Sequence, residues 1–357
     1  MPGGSVKIAQ IAPLYESVPP KYYGGTERIV YQLTEALVEQ GHEVTLYASG
    51  DSITSAKLRP MCQRSLRLDP TSIDPVADHV LLAEKVLQDS PEFDFVHSHI
   101  DYLAYPLWRR MKTPHLTTLH GRLDLPNLFN LYREFEEMPL ISISNNQRLP
   151  LSWANWQATV YHGISENLYP FQEKPGQYLA FIGRICPEKR VDTAIEIAQQ
   201  AGMTLKIAAK LDKVDREYYH AVIKPLLNQG HVEFIGEIGE TEKKDFLGNA
   251  AALLFPIEWP EPFGLVMIEA MACGTPVIAH RYGSVPEIVE SGVSGFIVRS
   301  IEEAVAAVKK IPSIDRRACR RYFEEKFTAS RMAEDYLSVY ERLIRGQKNS
   351  EPFQIYG

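Results

Sequence analysis

Two glutamates stand eight positions apart in the segment Trp259-Pro-Glu-Pro-Phe-Gly-Leu-Val-Met-Ile-Glu269. From Leu265 onward the segment reads as a helix start, which puts Glu261 in the entrance loop and Glu269 about one turn inside. The amides of Phe263, Gly264 and Leu265 then lie at a helix N-terminus, where unpaired donors and the helix dipole favour an anion. Gly264 lets a ligand approach the backbone closely. A carboxylate at each end of such a loop can accept hydrogen bonds from sugar hydroxyls while the amides face a pyrophosphate. A second constellation is Gly183-Arg-Ile-Cys-Pro-Glu-Lys189. Arg184 offers a planar fork and Lys189 a point charge, and both suit a diphosphate. Together they can neutralise a leaving nucleotide, so no metal is expected. The nearest approach to an Asp-x-Asp metal motif is Glu92-Phe-Asp94, which runs into a buried strand.

These residues need strand ends to hold them, and the chain supplies two sets. In the first half, strands are expected at Val6–Ala12, Val44–Ala48, Phe95–His97, Leu116–His120 and Leu140–Ser144. A helix is expected from about Thr26 to Gln40, with Ile29, Val30, Leu33, Ala36 and Leu37 on one face and Gly41 as its stop. The pattern restarts at Tyr178–Ile182, followed by a helix at Val191–Ala201. Strands are then expected at Leu205–Ala208, Val232–Ile235, Leu253–Phe255, Val277–Ala279 and Phe296–Val298. Strands separated by helices imply right-handed crossovers and parallel sheets covered on both faces. The expected division is an N-terminal Rossmann-like domain over 1–168, a linker over 169–176 carrying Pro170 and Pro175, and a C-terminal Rossmann-like domain over 177–327. Residues 328–357 hold a last helix near Ser330–Arg345, expected to pack back on the first domain. Such sheets bind ligands at the carboxyl ends of their strands.

Bulk properties exclude several classes. The 357 residues are 45% hydrophobic and 23% charged, with a formal net charge of −7. That balance gives no basic surface for nucleic acid. Cys62, Cys186, Cys273 and Cys319 are scattered without metal or disulfide spacing, and read as reduced thiols in the cytoplasm. The longest clean apolar run, Ala250 to Phe255, is six residues, against the ~18 needed to span a bilayer. No secretory leader is expected. Two basic clusters, Arg109-Arg110-Met-Lys112 and Arg316-Arg317 with Arg320-Arg321, offer peripheral contact with an anionic membrane face, although solvated helix faces explain them more simply. A nicotinamide-dependent oxidoreductase is set aside, because Pro13-Leu-Tyr-Glu after the first strand cannot form the glycine-rich phosphate turn.

Gly183-Arg-x-x-Pro-Glu-Lys189, followed roughly 75 residues later by Glu261-x-Phe-Gly-x-x-x-x-Glu269, resembles the retaining glycosyltransferases of family 4, which adopt the GT-B architecture of two Rossmann-like, doubly wound parallel-sheet domains facing a central cleft. Further segments share the resemblance: Gly24-Gly-Thr-Glu27, Val96-His-Ser-His99, Thr118-Leu-His-Gly121, Tyr161-His-Gly163, and Gly283-Ser-Val-Pro-Glu287 with Gly292 and Gly295. The resemblance implies a metal-independent hexosyltransferase with no cofactor, using UDP-glucose first and GDP-mannose next, acting on a glycan or lipid-linked acceptor in exopolysaccharide or related synthesis. It implies that Arg184 and Lys189 hold the diphosphate and Glu269 the ribose. Glu261 with the amides of Phe263, Gly264 and Leu265 would position the hexose and β-phosphate, and the backbone near Ile238 would meet the base. From the first half, Gly25 would approach the donor and His120 the hexose, with His99 and Asn145 toward the acceptor. Tyr22, Tyr23, Arg122 and Asp124 are further acceptor-side candidates. Two departures stand out. Arg190 replaces the small residue, commonly Gly, that follows the motif lysine, and His162-Gly-Ile-Ser165 replaces Asn-Gly-Ile-Asp. A sugar-nucleotide epimerase and a non-catalytic sugar-nucleotide sensor are the competing readings.

Overall fold

Short apolar runs become the strands of two separate parallel sheets. The computed structural model describes residues 4–21 and 24–348, and they divide into two compact units. One ends at Gly163 and regains the chain from Ala329, and the other is Ile164–Thr328. The first sheet holds β1 (Lys7–Ile11), β2 (Glu43–Ala48), β3 (Lys57–Pro60), β4 (Phe95–Ser98), β5 (His115–Thr118), β6 (Leu140–Ser142) and β7 (Trp156–Thr159). Its order is β3-β2-β1-β4-β5-β6-β7. The second holds β8 (Tyr178–Arg184), β9 (Thr204–Lys210), β10 (Val232–Gly236), β11 (Ala252–Phe255), β12 (Val277–His280) and β13 (Gly295–Val298). Its order is β10-β9-β8-β11-β12-β13. Each sheet starts in its middle, runs to one edge and then restarts on the other side. The reversal falls between β1 and β4, and again between β8 and β11. Loops leaving the carboxyl ends of those strand pairs diverge, which opens a crevice there.

Helices bury the faces. In the second unit Val191, Ala194, Ile197 and Ala198 of the helix Val191–Ala201 join Leu179, Leu205 and Ile207 in one core. Each fully buried Val, Leu or Ile side chain contributes roughly 1.5–3 kcal/mol. In the first unit, Tyr47, Tyr105 and Trp108 are fully buried beside Leu82, Val86 and Val96. The last helix, Ala329–Lys348, belongs to this unit and packs on the helix Gly25–Glu39. Gln40 caps the contact by donating to the Ser330 carbonyl at 3.2 Å.

Three expectations are corrected. β3 (Lys-Leu-Arg-Pro) and β7 (Trp-Gln-Ala-Thr) are strands that no apolar run announces, because both are edge strands with half-exposed side chains. Residues 169–176 are no free linker but pack onto the second unit. Tyr169 is fully buried, the Gln172 amide donates to the Cys273 carbonyl at 3.0 Å, and a Cβ on Gly176 would lie 1.6 Å from the Asn249 carbonyl oxygen. The arginines of the second basic cluster are not all solvated. Buried Arg316 donates to the carbonyls of Gln172, Gly248 and Ala250 at 2.7–3.0 Å, and Arg320 to those of Tyr169 and Ala272 at 2.9 and 2.5 Å. These two clamp chain carbonyls, whereas Arg317 and Arg321 of the same cluster are exposed. Arg109 is likewise engaged, by Glu134 and Glu137. No helix among the described residues is long and apolar enough to cross a membrane.

Candidate functional site

Because β8 and β11 are neighbours, the turn after β8 and the loop after β11 meet. The Lys189 ammonium pairs with the Glu261 carboxylate. The Trp259 indole N–H donates to the same Glu261 oxygen at 3.0 Å. Lys189 Nζ lies 5.3 Å from the Trp259 ring centre and 5.5 Å from that of Phe255, within the reach of cation–π attraction. The Glu258 amide donates to the Glu188 carbonyl at 3.0 Å, and Arg190 pairs with both Glu258 and Asp192. Arg190 has φ 54°, a left-handed conformation in which glycine is at ease. Its two carboxylate partners compensate for the side chain that stands there.

Glu261 is shaped from behind by a second turn. Gly283 has φ +54°, and a Cβ there would lie 2.3 Å from the Glu261 nitrogen and 2.4 Å from its carbonyl oxygen. Ser284 donates its amide to the Glu261 carbonyl at 3.0 Å and its hydroxyl to the Phe263 carbonyl at 2.7 Å. Gly264 follows at φ +84°, with Phe255 and Met267 packed where a Cβ would go, and the helix Leu265–Ala272 begins. Met267 donates its amide back to the Gly264 carbonyl at 3.0 Å, and the preceding amides at the helix start have no acceptor within the helix. Gly283→Ala is therefore expected to push the Glu261 loop out of place. A melting temperature lowered by several degrees, with nucleotide affinity down at least tenfold, is the expected result. Calorimetric titration of the variant checks it, and unchanged affinity contradicts this role for the turn.

The other residues assigned to this half are distributed differently. Glu269 is only 3% exposed and its Oε1 lies 2.7 Å from Lys243 Nζ, which also pairs with Glu240 at 3.4 Å. The two glutamates thus have separate cations, and Glu269 is held inside the unit. Arg184 ends β8 and lies 3.3 Å from Asp215 and 3.8 Å from Asp212. Ile238 sits half-buried in the loop between β10 and the helix Glu240–Gly248.

In the first unit the carboxyl ends of β1, β4 and β5 bring a polar cluster together. His99 Nδ1 lies 2.9 Å from His120 Nε2, and His99 Nε2 lies 2.9 Å from Gln10 Oε1. Gln10 Nε2 donates to the Tyr340 hydroxyl at 3.3 Å, which lies 2.6 Å from His97 Nδ1. His97 Nε2 lies 2.8 Å from the Thr118 hydroxyl. The His162 ring stacks on His120 with centroids 5.2 Å apart. Gly25 opens the helix Gly25–Glu39. Asn145 accepts from Thr159 at 3.1 Å, and exposed Arg122 pairs with Asp124 at 2.7 Å. Tyr22 and Tyr23 lie outside the described residues.

Burial keeps these imidazoles neutral. It pushes His120 down to about 3, and His97, His99 and His162 well below their ordinary 6.5. Between pH 6.5 and 3 the unfolded chain therefore binds protons that the folded one does not. Stability present above 6.5 is lost as pH falls, by up to about 1.4 kcal/mol per pH unit for each histidine. Two carboxyls oppose this: buried Glu27 is raised to about 7 and half-buried Asp101 to about 6, so their contributions fade as pH rises. Four histidines outweigh two carboxyls, and the urea midpoint is expected to fall from pH 7 to pH 5. A midpoint that holds or rises contradicts neutral burial.

Gln10, Tyr336, Tyr340 and Lys243 escape a reading by motif. Gln10 and Tyr340 are 330 positions apart, so only folding joins them. His97 and His99 had a signal, since alternate residues of a strand share a face.

Two Rossmann-like units, with charged and polar side chains at the carboxyl ends of their strands, define the GT-B class of α/β proteins. The family model for Glycosyltransferase Family 4 matches residues 23–167, and that for Glycosyl transferases group 1 matches residues 170–326. The chain belongs to this family of glycosyltransferases. It is 27% identical over 282 residues to an uncharacterised glycosyltransferase of Methanocaldococcus jannaschii, covering 72% of this chain and 78% of that one. It is 26% identical over 400 residues to a glycogen synthase of Mycobacterium tuberculosis, covering 94% and 95%. Among solved structures, a glycosyltransferase involved in avilamycin A biosynthesis matches with a TM-score of 0.76 at 26% identity, over 96% of this chain and 98% of that one.

Proposed function

We propose that this glycosyltransferase moves a hexose from a nucleotide diphosphate sugar to an acceptor hydroxyl, with retention at the anomeric carbon and without a metal. UDP-glucose is the first donor to try and GDP-mannose the next. The acceptor is a glycan or a lipid-linked sugar. The observation that carries the reading is the meeting of Lys189 and Glu261 beside a helix N-terminus. A cation, a carboxylate and first-turn amides then stand together, as a sugar diphosphate requires.

In this scheme the anomeric C–O bond to the diphosphate breaks, and charge grows on the departing oxygen. Lys189, Arg184 and the amides of Gly264 and Leu265 stabilise that charge, which is the expected main term. The acceptor oxygen bonds to the anomeric carbon from the same face, and its proton passes to the departing phosphate oxygen. Glu261 orients sugar hydroxyls and forms no bond to carbon, unlike the carboxylate pairs of glycoside hydrolases. Glu269, locked to Lys243, serves the ribose only if that pair opens a free oxygen to it.

Labelled donors incubated with the protein and a cell extract test the reading. Transfer to an acceptor that survives EDTA is expected. Loss in chelator with recovery in manganese contradicts metal independence. Conversion of the free sugar nucleotide without transfer would make the protein an epimerase, and binding with no chemistry a sensor.

A further inference from the structure

Within the first unit the polar cluster forms one continuous hydrogen-bonded chain, and its ends determine where the protons lie. It runs from His120 through His99 and Gln10 to Tyr340, and on through His97 to Thr118 and Tyr336, with no contact longer than 3.3 Å. Each neutral imidazole has one N–H and one bare nitrogen. One assignment therefore fixes the next. The Gln10 amide nitrogen donates to Tyr340, so its oxygen faces His99 and can only accept. His99 must then carry its proton on Nε2 and accept on Nδ1. Among the described residues the partner of that Nδ1 is His120 Nε2, which must donate. The single proton of a neutral His120 is used up by this contact.

The opposite sense would turn the Gln10 amide over and put the His120 proton on Nδ1. That atom is buried and meets no hydrogen-bond partner among the described residues. An unpaired buried N–H is rarer and costlier than an unpaired acceptor. The sense with bare Nδ1 is therefore the stable one. The far end is anchored by the last helix, because Tyr336 and Tyr340 both come from Ala329–Lys348 and both are fully buried.

We propose that Gln10, His99 and Tyr340 are positioning residues that hold His120 as its Nε2–H tautomer, with that proton committed to His99, so that His120 cannot serve as a proton donor to a sugar. This reassigns His99 from acceptor contact to support of His120. It also gives the C-terminal helix a task beyond packing, since its tyrosine hydroxyls carry the chain on from Gln10. The part concerning sugar rests on the transfer reading above; the tautomer does not.

The test is long-range proton–nitrogen NMR on the full chain labelled with ¹⁵N-histidine, with His120 assigned from the resonances missing in His120→Gln. Between pH 6 and 8 the expected spectrum shows His120 Nε2 protonated and Nδ1 bare. A proton on Nδ1, or an imidazolium, overturns the proposal. In Gln10→Leu the fixed direction is lost, so an Nδ1–H population of His120 should appear and turnover should fall at least about tenfold, with nucleotide affinity unchanged. A wild-type tautomer together with wild-type turnover in that variant also overturns it. If the unaltered protein transfers no sugar from any donor, the transfer reading fails, and the NMR spectrum still decides the tautomer.

Discussion

Lys189→Ala is expected to lower turnover by about 10²-fold or more, since removing one preorganised charge-stabilising group from a transition state costs roughly 3–4 kcal/mol. In the free protein Lys189 is already paired with Glu261 and stands beside two aromatic faces. It is preorganised, and no rearrangement is needed before charge develops on the departing oxygen. The substitution also releases Glu261 to the Trp259 indole alone among the partners described above, so donor affinity should weaken as well. The fold should change little, because the pair lies in loops outside the core. Arg184→Ala should act in the same direction. Turnover at saturating donor, with a melting curve as control, checks both. Wild-type turnover in Lys189→Ala removes the lysine from the chemistry.

The second large effect is expected from the other unit. His120→Ala should reduce transfer on the order of 10²-fold, as misplacing a bound reactant by about an ångström does. Nucleotide affinity should stay within about threefold. The reason is the division of groups along the chain. Lys189, Arg184 and the Glu261 loop belong to the unit Ile164–Thr328, whereas His120 belongs to the other. Steady-state kinetics beside nucleotide calorimetry on one variant separates the two effects. A large loss of nucleotide affinity would mean that His120 contacts the nucleotide itself, and this division would fall.

How much of this was legible beforehand depended on how local each signal was. The buried strands β4, β11 and β12 read directly from apolar runs, whereas edge strands β3 and β7 have no such runs and were missed. Lys189 and Glu261 were each visible as residues after a strand. That they touch followed only once the sheet order made β8 and β11 neighbours. Arg316 and Arg320 read as surface charge because a sequence does not show which carbonyls a helix will cover. The relay behind His120 was least legible of all, since it is assembled from β1, β4, β5 and the last helix. Arg190 is the reverse case. Its departure from a small residue was plain in the sequence, and the backbone explains it through φ 54° and two carboxylate partners.

Calorimetric titration of UDP, GDP and ADP into the intact protein and into Lys189→Ala decides whether the joined loops after β8 and β11 form a nucleotide diphosphate site. Saturable binding of at least one of the three is expected, weakened tenfold or more by the substitution. Binding of equal strength in both proteins, or of none of the three in either, would contradict it.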